Sequence, residues 1–309
     1  MMSSYITAEN LAYYNTKINQ VIKKGDSIIE PVTVELGENG SLGGYKTGDV
    51  IDSNTPVVTV IKKLLAKQIP PTYTAPNVSL LNNNGTSPGN YEIGSVITPK
   101  IKAIYNQNDG GSITQIDILK NNTSMTVKDT SPAEYEEVSQ TLSTPITFKA
   151  RASYEEGNIK NDNLGEPYPQ GRISAGTKDS NTLSFNPYRQ GYFWGVLGTS
   201  SAEETLNSQI IRSGTAKNGA YASGSITGIA AASVPNRKRI FIACPADKKG
   251  VTKVIMPSAM NADCTTDFVK QTNTILVEGK NGYTGIAYNV WVYEPAAISN
   301  DQTFTVTLG

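Results

Sequence analysis

The chain contains no histidine, and this absence excludes several kinds of active site at once. A Ser-His-Asp triad, a Cys-His pair and an H-E-x-x-H zinc site all require an imidazole. The histidine-free Ser-x-x-Lys dyad is also missing, since no serine has a lysine three residues later. No P-loop motif G-x-x-x-x-G-K-[ST] is present. The sequence therefore predicts a protein that is not an enzyme and that has no cofactor and no metal site.

The chain also has little charge and no net charge. Lys and Arg number 27, as do Asp and Glu, and charged residues make up 17% of the 309 positions. A neutral chain of this kind is not an electrostatic binder of nucleic acid. No run of about 18 apolar residues is present, so no membrane span is expected. The N-terminal sequence lacks the pattern of a signal peptide, which favours synthesis in a cytoplasm.

Cysteine is scarce: only Cys244 and Cys264 occur, 20 positions apart. One disulfide is possible in an oxidising compartment. Two semi-buried free thiols are the better interpretation for a chain made in a reducing cytoplasm.

Small polar residues, by contrast, are abundant. The chain has 27 Asn, 32 Thr and 26 Ser, together with 16 Tyr against 6 Phe. This composition is typical of extracellular adhesive or fibrous proteins. Because the expected site of synthesis is the cytoplasm, the composition favours a protein that leaves the cell within a larger particle, and a virion is the obvious case.

The pattern of apolar residues predicts a mainly β protein with a short helical N-terminal anchor. Residues 1–71 form the anchor and oligomerisation region, residues 72–190 an Ig-like β-sandwich, and residues 191–309 a C-terminal β head that is sandwich-like or jelly-roll-like. The boundary near 72 follows from Pro70, Pro71 and Pro76, which stiffen an extended joint.

Two short amphipathic helices are expected in the anchor. The first covers residues 4–22, and the second begins with Thr55 as N-cap and Pro56 as first helical residue. Such short helices are marginal alone in water, so their apolar faces must pack on their own domain, on a sister chain or on a larger partner. The candidate anchor residues are Leu11, Ile18, Val21, Val57, Ile61, Leu64 and Leu65.

Short alternating runs separated by turn residues predict the strands of the two β domains. The middle domain has candidates at 76–81, 95–105, 112–119, 123–128, 145–154 and 181–185. The C-terminal domain has a short helix at 202–211 and strands at 239–243, 251–256, 274–278, 284–293 and 302–308. Asn281-Gly282 is the strongest hairpin signal.

Several carboxylate groups are candidates for an enzyme or metal site. Glu155 and Glu156 are adjacent on a strand and point to opposite faces, so they cannot share one sugar. Glu134, Glu136 and Glu137 are expected to lie in a polar loop with their carboxylates in contact with solvent. Asp162, Asn163 and Glu166 suggest a loose Ca²⁺ loop, but their spacing departs from the calcium-binding motif and an Asn-rich turn is favoured.

A cluster of aromatic residues lies between the second and third domains. Tyr188, Tyr192 and Trp194 are the candidates for glycan contact, and interdomain packing is the favoured alternative. The basic run Arg237-Lys238-Arg239 precedes a strand and is expected to protect or solvate a sheet edge.

Two segments resemble proteins of tailed phages. GGYKTGDVIDSNTPVVTVIKKLLAKQIPPTYTAPNVSL, residues 43–80, is similar to a segment that links a particle-bound N-terminal part to Ig-like modules. IAYNVWVYEPAAISNDQTFTVTL, residues 286–308, is similar to the end of such proteins. Both segments most resemble head-fiber or capsid-decorating proteins of crAss-like phages that infect Bacteroidales.

The resemblance implies a homo-oligomeric fiber, with a trimer as the expected state, located in the virion. Its implied partners are the major capsid protein or another virion protein, with host surface glycans as a further contact. Three other functions remain open: a tail or baseplate fiber that recognises the host, a virion-associated lectin or glycan-active enzyme, and a bacterial surface adhesin.

Overall fold

The computed structural model describes residues 30–35, 41–42, 44–198, 205–217, 224–231, 239–293 and 302–309. Within these ranges the protein is mainly β, with several sheets and few helices, so the predicted fold class is confirmed. The predicted helix at 4–22, with Leu11, Ile18 and Val21, lies outside the described residues, as do Arg237 and Lys238.

The strands and helices follow one another in this order along the described chain. The N-terminal part contains β1 (Val32–Thr33), β2 (Ser41–Leu42), β3 (Tyr45–Lys46), β4 (Val50–Ile51) and helix α1 (Val57–Leu65). The middle part contains β5 (Asn77–Asn82), β6 (Gly89–Glu92), β7 (Val96–Ile97), β8 (Lys100–Asn106), β9 (Ile113–Lys120), β10 (Thr123–Lys128), β11 (Ala133–Glu136), β12 (Gln140–Thr141), β13 (Ile146–Tyr154), β14 (Lys160–Asn161), β15 (Pro167–Tyr168), β16 (Gly176–Asp179) and β17 (Leu183–Tyr188).

The C-terminal part begins with β18 (Tyr192–Val196), helix α2 (Ser208–Ser213), β19 (Thr215–Lys217) and β20 (Gly224–Ala231). It continues with β21 (Ile240–Pro245), β22 (Val251–Met256), β23 (Ala262–Asp263), β24 (Phe268–Lys270), β25 (Ile275–Val277), β26 (Ile286–Tyr293) and β27 (Gln302–Leu308). Short 3₁₀ helices occupy Pro257–Ala259 and Thr265–Asp267, and a turn with Asn281 in the left-handed region occupies Lys280–Gly282.

The contacts divide the chain into two compact units. The first unit consists of residues 1–77, 106–114 and 153–178, and the second of residues 78–105, 115–152 and 179–309. The first unit therefore joins the N-terminal part to two segments from the middle of the chain. The second unit joins most of the middle part to the C-terminal part.

The middle part contains a sheet with order β10-β9-β13-β17-β6, in which β16 also pairs with β13, and a sheet with order β11-β8-β5. The predicted alternation on β8 is confirmed, because Ile101 and Ala103 are fully buried while Lys100 and Lys102 are not. Phe148 of the larger sheet lies with its ring centroid 6.0 Å from that of Tyr135 on β11. This ring contact between the two sheets is that of a β-sandwich.

In the C-terminal part, strand β21 is buried on both faces and organises two cores. One face contributes Ile240 and Ile242 to a core that also contains residues of β22 and β27. The other face contributes Phe241 to a core that includes Ile211 of α2. Cys244 and Cys264 are free and buried, and burial raises the pKa of the Cys244 thiol to about 12.

Three local features differ from the sequence-based expectations. Helix α1 begins at Val57 with Pro56 at the N-cap, because the Thr55 hydroxyl donates to the Asp52 carbonyl at 2.7 Å within the preceding turn. Helix α2 begins later than predicted, where the Asn207 side chain accepts from the Ile210 N–H. The segment of Tyr192 and Trp194 is strand β18.

Candidate functional site: an exposed helix and its polar clamp

Helix α1 contains six apolar residues, and no residue of the helix is buried. Val58 is 57% exposed and Leu65 is 79% exposed, whereas Ile61 is half-buried. These three residues are spaced i, i+3, i+7 and therefore lie along one side of the helix. We call them the apolar stripe. Of the other predicted anchor residues in α1, Val57 and Leu64 are half-buried.

The opposite side of α1 is held by the chain around β3. The Gly44 N–H donates to the Lys63 carbonyl at 2.8 Å, and the Lys63 ammonium lies 4.4 Å from the Tyr45 ring centroid. A Cβ at position 44 would lie 2.7 Å from Cγ of Lys63, so a larger residue there would have to displace the Lys63 side chain. At 100° per residue, Lys63 is turned 140° from Val58 and 160° from Leu65 on the helix. The helix is thus fixed on one side and exposed along the stripe.

The residues that follow α1 are held by a loop that comes nearly 100 positions later in the sequence. The Asn163 side chain accepts from the Ile69 N–H at 2.5 Å and donates to the Lys67 carbonyl at 2.9 Å. The Asn163 N–H also donates to the Ile69 carbonyl at 3.3 Å. We call Lys67–Ile69 together with Asp162–Glu166 the polar clamp. It fixes the chain at the point where the helix ends.

Asp162 organises the loop side of the polar clamp. Its Oδ1 accepts from the N–H groups of Leu164 and Glu166 at 2.8 and 2.9 Å, and its Oδ2 accepts from the Gln68 side chain at 2.6 Å. These hydrogen bonds, that of Gln68 foremost, lower the pKa of the Asp162 carboxyl. Asp162 is only 8% exposed, and a buried carboxylate needs hydrogen-bond donors. The three donors named above meet that need.

The same contacts account for the residues that suggested a calcium loop. The Asp162 oxygens accept N–H donors, and Glu166 forms an ion pair with Lys46. In the described ranges no three His, Cys, Asp or Glu side chains come together in a way that could hold a metal ion. A polar cleft of about 420 Å³ lies beside the clamp and is lined by Lys46, Gln68, Asp162, Glu166 and Tyr168 among others.

The other carboxylate candidates have structural partners. Glu134 and Glu136 of β11 lie opposite Lys102 and Lys100 of β8 and form ion pairs with them at 3.1 and 2.7 Å. Glu156 forms an ion pair with Arg172 at 3.0 Å. Glu134 and Glu136 thus stabilise the pairing of β11 with β8, and Glu156 stabilises the loop that contains Arg172.

The residues of the predicted aromatic cluster lie on two strands, β17 and β18. The side chains of Tyr192 and Trp194 are two positions apart and therefore point to the same face of β18. Both are half-buried and pack against the core around Ile242. Tyr188 lies on β17, and burial followed by the nearby Glu92 carboxylate raises the pKa of its phenol. The structure thus gives Tyr192 and Trp194 a packing role.

A junction within the second unit carries contacts that the sequence did not suggest. The Arg212 guanidinium donates to the Glu92 carboxylate and to the Glu278 carbonyl, each at 2.6 Å. The Lys280 N–H donates to the Ile93 carbonyl at 2.8 Å. These contacts join the middle β segment to the C-terminal β segment. Of the residues in this junction, only Asn281-Gly282 carried a signal in the sequence, that of a hairpin. Both residues have positive φ, and they lie in the loop of the hairpin formed by β25 and β26.

Gly94 allows the two segments of this junction to approach closely. Its φ is +86°, and a Cβ there would lie 2.1 Å from the Lys280 carbonyl oxygen. The Asn281 side chain donates to the Gly94 carbonyl at 3.0 Å. Backbone-to-backbone contact of this kind leaves little room for the segments to shift against each other.

Comparison with known proteins gave no relative for this chain: no family model, no curated protein and no solved structure matches it. Within the described residues, no helix is both long and apolar enough to cross a lipid bilayer.

Proposed function

We propose that the protein is a non-enzymatic structural protein of a virus particle, a fiber mounted on the capsid of a tailed phage of the crAss-like type. Residues 1–71 attach it to the particle, and the β-rich remainder forms its exposed part. The observation that carries the proposal is helix α1, which is fixed in place while its apolar stripe stays exposed.

An exposed apolar helix is costly unless another surface covers it. Val58, Leu65 and the following Ile69 are each more than half exposed, and burying a large aliphatic side chain contributes about 1.5–3 kcal/mol. The polar clamp and the contact between Gly44 and Lys63 already order the helix. Partner binding therefore does not have to supply the free energy of ordering it.

The junction within the second unit agrees with a fiber that transmits force. The ion pair of Glu92 with Arg212 and the backbone contacts at Gly94 join two β segments into one body. A rigid exposed part keeps a constant distance between the particle and whatever the fiber meets. Sister chains bound through the same apolar stripe would give the expected homo-oligomer, since one hydrophobic stripe per chain suits symmetric packing.

The first experiment asks whether the protein is in the particle and on which part of it. Mass spectrometry of purified phage particles, followed by immunogold labelling, is expected to find the chain at the head. Labelling at the tail or baseplate would favour the host-recognition fiber. Absence from washed particles would overturn the proposal.

The second experiment tests the stripe. Particles that lack the protein are mixed with the full chain or with the double variant Val58→Asp, Leu65→Asp. The variant is expected to lose at least tenfold in binding, because a carboxylate in a packed interface loses hydration without a partner. Met260→Asp is the matched control, since Met260 is 96% exposed on a loop with positive φ that Asp tolerates. Equal binding by all three proteins would show that the stripe is not the attachment surface.

A further inference from the structure

Lys120, Glu137 and Gln140 form a compact side-chain cluster that plays no part in the attachment surface. The Lys120 ammonium donates to Glu137 Oε2 at 2.6 Å and to Gln140 Oε1 at 2.5 Å. The Lys120 and Glu137 side chains are only 18% and 16% exposed. An amine, a carboxylate and a carboxamide thus meet in a place largely screened from water.

Two other Lys–Glu pairs of the same part of the chain show what an ordinary pair looks like here. The pairs Lys100–Glu136 and Lys102–Glu134 have side chains exposed by 33% to 64%. Each joins directly opposite residues of β8 and β11. The cluster at Lys120 differs from both pairs in two ways. Its side chains are more buried, and a carboxamide accepts a hydrogen bond from the lysine amine.

The backbone holds the three groups of the cluster in place. Lys120 is the last residue of β9 and lies opposite Thr123 of β10. Gln140 lies opposite Ile97 in the β12–β7 pair, and the Glu137 N–H donates to the Pro99 carbonyl at 2.9 Å. The amine therefore comes from one sheet and the carboxamide from another, and pairing within each sheet keeps them together.

Tyr135 completes the surroundings of Glu137. Its hydroxyl donates to the same Oε2 at 3.0 Å, and desolvation together with Glu137 raises the pKa of Tyr135 to about 12, so the phenol remains a donor at neutral pH. The Tyr135 ring lies against the fully buried Phe148. The carboxylate is thereby oriented toward the amine by a second fixed hydrogen bond.

We propose that Lys120 and Gln140 form an intramolecular isopeptide bond, with Glu137 as the general base. Glu137 takes a proton from the Lys120 ammonium, and the neutral amine attacks Cδ of Gln140. A new C–N bond forms between Nζ and Cδ, and the bond between Cδ and Nε2 breaks. The amide nitrogen leaves as ammonia, which carries away the transferred protons as ammonium. No oxidant, reductant or other reactant is needed.

Proximity is what makes such a slow reaction accessible. An amine and an amide do not react at a useful rate in dilute solution, but well-oriented intramolecular groups reach effective molarities of about 10⁵–10⁸ M. Attack needs the reacting atoms about 3–3.5 Å apart. The 2.5 Å hydrogen bond from Nζ to Oε1 holds the amine against the carboxamide whose Cδ it is proposed to attack.

The bond would fasten one sheet of the middle β segment to another. Lys120 belongs to the sheet of β9, and Gln140 to the small sheet of β12 and β7. A covalent link between them restricts the unfolded chain and resists separation of the sheets under load.

The test is the mass of the full-length purified protein, measured fresh and after prolonged incubation at neutral pH. The expected mass is lower than that of the encoded chain by one molecule of ammonia. Trypsin is then expected to leave Lys120 uncleaved and to release residues 103–128 joined to residues 129–149. An unmodified mass together with complete cleavage after Lys120 would overturn the proposal and leave only an ion pair.

Two variants test the assigned roles, with circular dichroism to confirm that each is folded. Glu137→Gln keeps the size of the side chain but removes the proton acceptor, so the protein is expected to keep its full mass. Lys120→Arg keeps a cation beside Glu137 and is expected to be unmodified as well. Glu134→Gln is the matched control and is expected to form the link as the parent does. Formation of the link in Glu137→Gln at the parent rate would overturn the role of Glu137.

Discussion

Arg212 and Glu92 are 120 positions apart in the sequence, and their side chains form an ion pair at 2.6 Å. The same guanidinium nitrogen also donates to the Glu278 carbonyl at 2.6 Å. The Arg212 and Glu92 side chains are 25% and 13% exposed, so the pair is mostly shielded from water. Residues that the sequence divides between two β domains are thus joined by contacts within one compact unit.

Removing Arg212 is expected to destabilise both β segments together. Arg212→Met removes the charged donor of the partly buried Glu92 carboxylate and leaves it only the longer hydrogen bond from Gln190, at 3.4 Å. The change should lower the free energy of unfolding by about 1–3 kcal/mol. Urea unfolding, followed by tryptophan fluorescence and by circular dichroism, measures the change. A double-mutant cycle with Glu92→Gln isolates the energy of the pair.

The more exposed pair of Lys102 and Glu134 supplies the control for this prediction. Lys102→Met should cost less than about 1 kcal/mol, as is usual for pairs near the surface. If Arg212→Met is as mild as Lys102→Met, the junction does not hold the two segments together.

Asn163→Ala is expected to loosen the polar clamp without unfolding the protein. The change removes the two side-chain hydrogen bonds to Ile69 and Lys67, each with a net contribution of about 1 kcal/mol. Local opening should therefore become easier by about 1–2 kcal/mol, and amides of residues 57–69 should exchange about 5–30 times faster.

Hydrogen exchange detected by mass spectrometry measures this effect. The control Asn273→Ala changes an exposed asparagine of the second unit and should leave exchange at 57–69 unaltered. Unchanged exchange in Asn163→Ala would show that the clamp does not hold the end of α1.

Asp179 is expected to make the protein sensitive to acid. Its carboxylate accepts from Arg151 at 2.7 and 3.2 Å and pairs with Lys149, and these partners hold the pKa of Asp179 far below its ordinary value. The unfolded chain binds the proton near the ordinary pKa of about 3.9. The stabilisation is therefore complete above that pH and declines as the pH falls below about 4.

Urea unfolding at a series of pH values from 7 to 2 measures this decline. Asp179→Asn, which cannot titrate, should show a shallower loss of stability below pH 4 than the parent. Asp129→Asn changes an exposed aspartate and serves as the control. Parallel acid profiles for the parent and Asp179→Asn would contradict the assignment.

Much of the β architecture could be predicted from the alternation of apolar residues. Strands β10, β22 and β27 have the predicted bounds, because each is a continuous run of strand-forming residues between turn signals. Strand β11 was missed because its sequence AEYE is polar. Its glutamates gain their role only from lysines on the neighbouring strand β8.

Strand β18 was missed for a different reason. Gly195 interrupts its apolar run, and glycine usually weakens a strand. Here a Cβ would lie 2.6 Å from the Phe241 ring, so glycine is required for β18 to pack on its neighbour. A contact between residues so far apart in sequence leaves no local pattern.

The candidate site was predicted in part. The apolar face of α1 could be predicted from the spacing of its residues, of which Val58 and Leu65 are exposed. The polar clamp was not predicted, since Asp162 and Asn163 were expected to form only an Asn-rich turn. Their partners are donors and acceptors at Gln68, Ile69 and Lys67, more than 90 positions away.

Site-specific photo-cross-linking on intact particles tests the central claim most directly. A photoreactive residue is placed at Leu65, which is 79% exposed in the apolar stripe, or at Leu276, which is 66% exposed in the C-terminal segment. The account predicts a cross-link from position 65 to a capsid protein or to a sister chain, and none from position 276 to the capsid. Cross-linking to the capsid from position 276 alone would show that the β-rich part is the anchor and would contradict the account.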